Sequence, residues 1–168
     1  IRQYEPMIIA EVEVDGKREG AIGDGFRLIA DYIFGNNTVK RDIAMTAPVQ
    51  QQESQKIAMT APVQQQSTGR SWQISFVMPS KYSMDSLPVP NNNRVRLKEI
   101  LTKKFIVIEF SGTNSNENVT KHENQLMNYI EGNNLKITGS PKYAFYNAPW
   151  TLPFMRRNEV MIEINQQQ

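Results

Sequence analysis

The stretch Tyr143-Ala-Phe-Tyr-Asn-Ala-Pro-Trp-Thr-Leu-Pro-Phe-Met-Arg-Arg157 is the part of this sequence best equipped to hold a ligand. Pro149 and Pro153 break regular structure there, so Tyr146, Trp150, Leu152, Phe154 and Met155 must stand on a loop. Large apolar side chains in a loop need a surface to cover. Either they cap the core, or they line a site for a flat apolar ligand, with Arg156 and Arg157 able to meet carboxylates at its rim.

Groups for covalent or acid/base chemistry are scarce. The chain has no Cys, which excludes disulfides, thiolate metal sites and a Cys nucleophile. Its one histidine, His122, excludes a His-rich metal site or a two-His relay. On a helical wheel His122 falls about 40° from Leu126, beside the stripe Val119, Leu126 and Ile130. That position reads as a half-buried side chain satisfied by a local hydrogen bond, with an iron or metal ligand as the sharper alternative. Glu11, Glu13, Asp15 and Asp24 are close in sequence, but Glu11 and Glu13 share one strand face, read as solvated rather than as a carboxylate dyad. No nucleophile elbow, phosphate-cradling glycine loop or zinc motif occurs.

The elements that must position these residues follow from the periodicity. Ile8 to Val14 alternates and closes at Asp15-Gly16, a strand and turn. Ile22, Phe26, Ile29, Ala30 and Ile33 recur at helical spacing, with Gly35 where a C-cap glycine belongs. Gly23 and Gly25 weaken that helix's first turn or admit a close neighbour. Trp72 to Met78 is a strand ending at Pro79, and Met84 to Asn93, with Pro88 and Pro90, is a polar connector. The order then repeats. Phe105 to Phe110 is a strand, Glu117 to Glu131 a helix with Gly132 past its end, and Tyr143 to Asn147 and Glu159 to Ile164 are strands. Two pseudo-symmetric β-α-β-β units predict a single α+β domain over 1–168, a mainly antiparallel sheet curling into a barrel.

Between the halves lies a tandem repeat. Ile43-Ala-Met-Thr-Ala-Pro-Val-Gln-Gln-Gln52 recurs as Ile57 to Gln66, fourteen residues on. The spacing predicts two extended arms joined around Glu53 to Gln55. Pro48 and Pro62 should make them end at, or lie on, a sheet edge. Met45, Met59 and the Thr46 and Thr60 pair either belong to these strands or face a ligand.

Bulk properties bound the rest. A chain of 168 residues that is 39% hydrophobic can bury a real core. Nineteen basic and seventeen acidic residues give a net +2 without a dense basic run, so nucleic-acid binding has no electrostatic footprint. No apolar stretch is long enough to span a membrane. The chain opens at Ile1 inside what reads as folded sequence, so a cleaved leader or further chain is allowed upstream. The compartment, cytoplasmic or periplasmic, is left open.

Several motifs in order resemble the SOUL haem-binding protein family in its bacterial style. They are the doubled Ile-Ala-Met-Thr-Ala-Pro-Val, Ser-Phe-Val-Met-Pro-Ser at Ser75 to Ser80, and Ala144-Phe-Tyr-Asn-Ala-Pro-Trp through Arg156-Arg-Asn-Glu-Val160. The resemblance runs from about Arg2 to Ile164. It implies a distorted antiparallel β-barrel flanked by two helices, similar to the effector-binding domains of bacterial multidrug regulators. It also implies non-enzymatic, non-covalent binding of haem or another tetrapyrrole in a shallow apolar groove between the first helix and the loop before the last strand. By position the groove would use Phe26, Arg27 and Ala30 on the helix. From the loop it would use Tyr146, Trp150, Leu152 and Phe154, with Arg156 as a propionate partner.

One position departs from part of that family. Where some animal members carry an axial histidine in Ile-Arg-His-Tyr, this chain has Ile1-Arg2-Gln3-Tyr4, so no axial ligand is identified. Burial of on the order of 400 Å² of apolar surface is worth about 10 kcal/mol gross, and association costs leave an affinity near micromolar or weaker. Two other readings stand beside this one. A small-molecule sensor or hydrolase would need a carboxylate such as Glu109 or Glu163 pointing inward. A protein-interaction module would use the Trp150 loop and the Gln-rich repeat as a binding edge.

Overall fold

A computed structural model of the chain describes residues 1–40, 54–148 and 150–165. The alternating stretch that opens the chain becomes strand β2 (Met7–Asp15), preceded by a short β1 (Arg2–Tyr4). Helix α1 (Arg18–Ile33) follows and ends at Phe34, with Gly35 at φ 125° as the left-handed exit residue. Then come β3 (Asn37–Thr38), β4 (Val63–Ser67), β5 (Ser71–Val77), β6 (Val89–Pro90), β7 (Arg96–Ile100) and β8 (Lys103–Phe110). Helix α2 (Asn116–Gly132) is capped by the Ser115 side chain, which accepts from Asn118 N–H, and buries Val119, Leu126 and Ile130 as the spacing predicts. Gly132 is its last residue rather than lying past its end, and Asn134, at φ 53°, makes the turn. The chain closes with β9 (Lys142–Phe145), a single 3-10 turn (Pro153–Met155) and β10 (Asn158–Ile164).

Eight strands form one antiparallel sheet in the order β1-β8-β10-β9-β4-β5-β2-β7, and β3 pairs separately with β6. The order is a palindrome of two β-α-β-β units meeting between β4 and β9. Each edge strand has changed sides: β1 precedes β2 yet pairs with β8, and β7 precedes β8 yet pairs with β2. Only Glu5-Pro6 and Leu101-Thr102 make these two connections. In a flat sheet β1 and β2 would stand six intervals, about 29 Å, apart. Three consecutive Cα steps span at most about 11 Å. The sheet must therefore curl strongly into a half-barrel, as it does.

Curling gives the two faces different fates. Ala10, Val12, Val14, Ile74 and Phe76 face outward beneath α1, and Ile106, Phe110, Val160, Ile162 and Ile164 lie beneath α2. Ile22 and Trp72 pack against both clusters and join the halves. The inner face carries Tyr4, Phe105, Ala144, Tyr146 and Met161 with a set of charged and amide side chains. Gly25 is where α1 comes closest to the sheet: a Cβ there would sit 2.6 Å from Ile74 Cβ. Gly23 has open space around it, so the close approach belongs to Gly25 alone of that pair.

Two expectations need correction. Glu11 and Glu13 do share a face, the inner one, and Glu13 is exposed on it as expected, but Glu11 is buried, accepting from Gln73 and lying 3.8 Å from Arg96. The second arm of the repeat is not at an edge: β4 runs in the interior of the sheet between β5 and β9. Pro62 stands just before the first ladder residue, Val63, so its missing N–H removes no strand bond. Ile57 of that arm is buried in the α1 cluster. The first arm, Ile43 to Gln52 with Met45, Thr46 and Pro48, lies outside the described residues, as do Glu53 and Pro149.

Candidate functional site

The loop after β9 is held at its base and crown. Asn147 Oδ1 accepts the Arg157 backbone N–H at 2.6 Å, and the Pro153 carbonyl accepts from Gly112 N–H at 2.9 Å. Asn158 Nδ2 donates to the Gly112 carbonyl at 3.0 Å. Gly112 turns at φ 106°, and a Cβ there would lie 2.7 Å from Asn118 Nδ2, so the anchor between the loop and the start of α2 requires glycine. Inside the loop Thr151 N–H bonds the Ala148 carbonyl at 3.0 Å, and Met155 N–H bonds Leu152 at 2.9 Å.

This frame presents its apolar side chains to solvent. Trp150 is 85% exposed and Phe154 74%, with Leu152 and Met155 also more than half exposed. They do not cap the core. Arg156 is half-buried beside them, its Nε donating to the Thr151 carbonyl at 2.7 Å.

The remaining site candidates stand elsewhere. Tyr146 points to the inner face of the half-barrel, where its hydroxyl donates to Glu159 Oε2 at 2.9 Å. Phe26 is half-buried on α1 with its ring 5.4 Å from Phe76, Ala30 is buried, and Arg27 is exposed and paired with Asp24. The structure thus gathers Trp150, Leu152, Phe154 and Arg156 into one turn. The contacts of Phe26 and Arg27 run to β5 and Asp24, whereas those of the loop run to the β8–α2 turn and β10.

Tyr146 belongs to a charged group that the sequence reading missed. Glu159, with no exposed surface, accepts from Arg2 Nη1 at 2.6 Å, Arg157 Nη2 at 2.6 Å and Nε at 3.1 Å, and Tyr146. Both guanidinium groups also reach Glu109, at 3.4 and 3.2 Å. Burial alone would raise the Glu159 carboxyl. The bonds from Arg157, Arg2 and Tyr146 outweigh it and hold the group below its usual range. Burial, then the bond to Glu159, pushes the Tyr146 phenol up. Strand parity was the signal available for Glu159: its neighbours Val160, Ile162 and Ile164 alternate onto the helix side.

Parity also places Glu109 and Glu163 on the inner face. Glu109 is shared by the two arginines, and Glu163 pairs with Lys103 at 2.6 Å. His122 behaves as its spacing predicts, with Nδ1 2.7 Å from the Asn118 carbonyl and its ring stacked on Phe110 at 4.1 Å. Gln3 is exposed on β1 and donates to Glu5 at 3.2 Å. Among the described residues no cluster of three His, Asp or Glu side chains could hold a metal ion, and no helix is long and apolar enough to cross a membrane.

Solved structures share the fold at low identity. The C-terminal domain of EcmrR matches at 9% identity with a TM-score of 0.67, over 98% of this chain and 94% of that one. A hydrolase from Listeria innocua matches at 12% identity and TM-score 0.58, over 98% and 91%. SAV2435 bound to tetraphenylphosphonium matches at 12% identity and TM-score 0.53, over 99% and 93%. No curated protein matches the sequence significantly. The family described as SOUL heme-binding protein matches residues 1–163, nearly the whole length, and the curled two-helix sheet carries the fold expected from that resemblance. This chain belongs to the SOUL heme-binding protein family.

Proposed function

We propose that the chain is a non-enzymatic tetrapyrrole carrier or buffer that takes the macrocycle against the Trp150 loop. The observation that carries this reading is the exposure of Trp150 and Phe154 on a loop held by backbone hydrogen bonds at both ends. An apolar surface of this kind on an ordered turn is a ready platform for a flat ligand, since little ordering is left to do on binding. Leu152 and Met155 widen the platform, and Arg156 supplies a cation for a propionate. Phe26 and Arg27 of α1, with buried Ala30 beneath them, share no contact with the described residues of the loop; in this reading they are the helix side of the groove, met only through the macrocycle itself. Membership of the SOUL family supports haem as the ligand.

The side chains present fit apolar contact with a porphyrin better than strong axial ligation. No histidine stands on the loop, and His122 is engaged with Asn118 and Phe110. Bound haem would supply iron for redox or gas chemistry, whereas the residues here bind and orient its edge.

Haemin titration followed by the Soret band tests the proposal, with Trp150→Ala/Phe154→Ala as the control. Both side chains are exposed, so the variant should keep the fold. Saturable one-to-one binding that the variant loses is expected. A non-saturating drift equal in both proteins would sink the reading.

A second reading draws on the inward placement of Glu109 and Glu163, which a small-molecule sensor or hydrolase would need. Each carboxylate is engaged in an ion pair. Turnover of a nitrophenyl ester panel that is lost in Glu163→Gln but kept in the double loop variant would move the function to the inner face.

A further inference from the structure

Among the described residues, one lysine of the inner face makes no ion pair. Lys142, the first residue of β9, shares Met161 and Gln66 as strand partners and extends into the half-barrel. Its ammonium lies 5.7 Å from the Phe105 ring centroid, and it makes no ion pair or hydrogen bond with the described residues. It lines a void of about 30 Å³, room for one water or a small carbonyl group, together with Tyr4, Ile9, Phe105, Met161 and Lys103. Met7, Ile100 and Leu101 line this void and also an open cleft of about 580 Å³ at the barrel mouth. The cleft continues past Ile8, Ala61, Val77 and Met78, mostly apolar. A narrow, mostly apolar end that holds two lysine side chains, beside a larger and equally apolar cleft, suits a small molecule with one reactive head and a hydrocarbon tail.

We propose that Lys142 is the nucleophile of a covalent binding site for aliphatic aldehydes, with the carbonyl in the inner void and the tail past Met7, Ile100 and Leu101 in the cleft. The neutral amine adds its lone pair to the carbonyl carbon, and a proton passes from nitrogen to oxygen to give a carbinolamine. Loss of water then leaves an imine, so aldehyde and amine become imine and one water, with no oxidant or reductant consumed. Lys103, an ammonium lining the same void and held by Glu163 at 2.6 Å, is placed to protonate the departing hydroxyl. Burial, then the neighbouring charge of Lys103, lowers the Lys142 amine below an ordinary lysine, which raises the free-base fraction the reaction needs. The other charges facing it are Lys98, which acts in the same direction, and Glu163 and Glu11, which oppose it. The amine end of this site is on the opposite sheet face from α1, while the cleft reaches round the sheet edge to Ile8 and Met78 of the α1 cluster. None of its lining belongs to the Trp150 loop, so it does not depend on the tetrapyrrole reading.

The test is reductive trapping of the folded chain with octanal and cyanoborohydride at pH 7, followed by peptide mapping. Lys142 should be alkylated clearly faster than the exposed Lys17, Lys81 and Lys121, because its amine is lowered by burial and the octyl chain has a cleft beside it. Acetaldehyde, too short to use the cleft, should show a smaller preference. Lys142→Arg, which keeps charge and fold, should leave only the slow surface labelling. Lys142 labelled no faster than Lys81 would overturn the proposal, and an equal preference for acetaldehyde and octanal would overturn the role of the cleft.

Discussion

Arg18 and Gln65 hydrogen-bond to each other in both directions. The Arg18 guanidinium donates to Gln65 Oε1 at 3.4 Å, and Gln65 Nε2 donates back to the Arg18 carbonyl at 2.7 Å. Arg18 opens α1, and Gln65 is the fully buried centre of β4, so the pair fixes the helix start over the middle of the sheet. The same guanidinium reaches Asn116 Oδ1 at 2.7 Å and the Asn114 carbonyl at 2.5 Å, which ties α1 to the entry of α2. Gln65→Ala should therefore cost about 2–4 kcal/mol, by opening a cavity and stripping a partner from a buried cation. Gln65→Glu keeps the acceptor and loses only the donor, so it should cost less. Urea unfolding of both variants checks the order.

Gly25 and Ile74 make the next constraint. A Cβ on residue 25 would be 2.6 Å from Ile74 Cβ, an atom no rotamer change can move. Gly25→Ala should lose about 2–3 kcal/mol through overpacking despite the better helix propensity of alanine. Gly23→Ala, with nothing within 4 Å, should gain about 0.5–1 kcal/mol. Equal urea midpoints for the two variants would contradict the packing argument.

The acid limit should reside in Glu159. Its folded carboxyl is held below the ordinary value of 4.5, so the stability it contributes is complete above that value. It is lost as pH falls through the depressed folded value. Glu159→Gln should cost about 2 kcal/mol at pH 7, a figure reduced because Arg2 and Arg157 are partly solvated and can turn to water. The variant should also unfold with a flatter pH dependence below pH 4.5. Parallel stability curves for variant and parent in acid would rule this out.

How much of this was legible depends on distance along the chain. Strand β2, α1 and α2 could be read because their buried positions recur within a few residues. Strands β1 and β7 are three and five residues long and mostly polar, so they left no period to find. Glu11 shows the limit best. Alternation correctly put it on one face with the exposed Glu13, but only the curl, forced by two-residue links between distant strands, decides that this face is closed at Glu11. The Trp150 loop was legible from its prolines and aromatics, all local. The Glu159 group was not, because its Arg2 partner lies 157 residues away. No local pattern encodes which strand ends meet inside a half-barrel.

Arg156 offers a ligand-side test of the tetrapyrrole reading. A guanidinium facing a propionate in partly solvated surroundings contributes about 1 kcal/mol, so Arg156→Ala should weaken haemin binding by about fivefold. The dimethyl ester of haemin has no carboxylate to meet, and its affinity should not change on the same substitution. A substitution that weakened both ligands equally would assign Arg156 to shaping the loop through its bond to the Thr151 carbonyl instead.

Lys142 should set the alkaline behaviour, with a sign opposite to Glu159. Burial and Lys103 lower its folded amine below the unfolded value of 10.5, with Lys98 acting alongside and Glu163 and Glu11 opposing. Between the two values the unfolded chain binds the extra proton, so stability rises with pH. Below the folded value the full cost of burying an ammonium is present. Lys142→Met, of similar length and without charge, removes that cost, so it should stabilise the protein at pH 6 to 7. Its advantage should shrink as the pH rises from the folded value towards 10.5, above which the parent lysine is neutral in both states. Urea midpoints of parent and variant at pH 6, 8 and 9.5 measure this directly. A gap that stays constant across the range would mean that the ammonium is fully solvated, and a gap that widens would mean that Glu163 or Glu11 has become its true counter-ion.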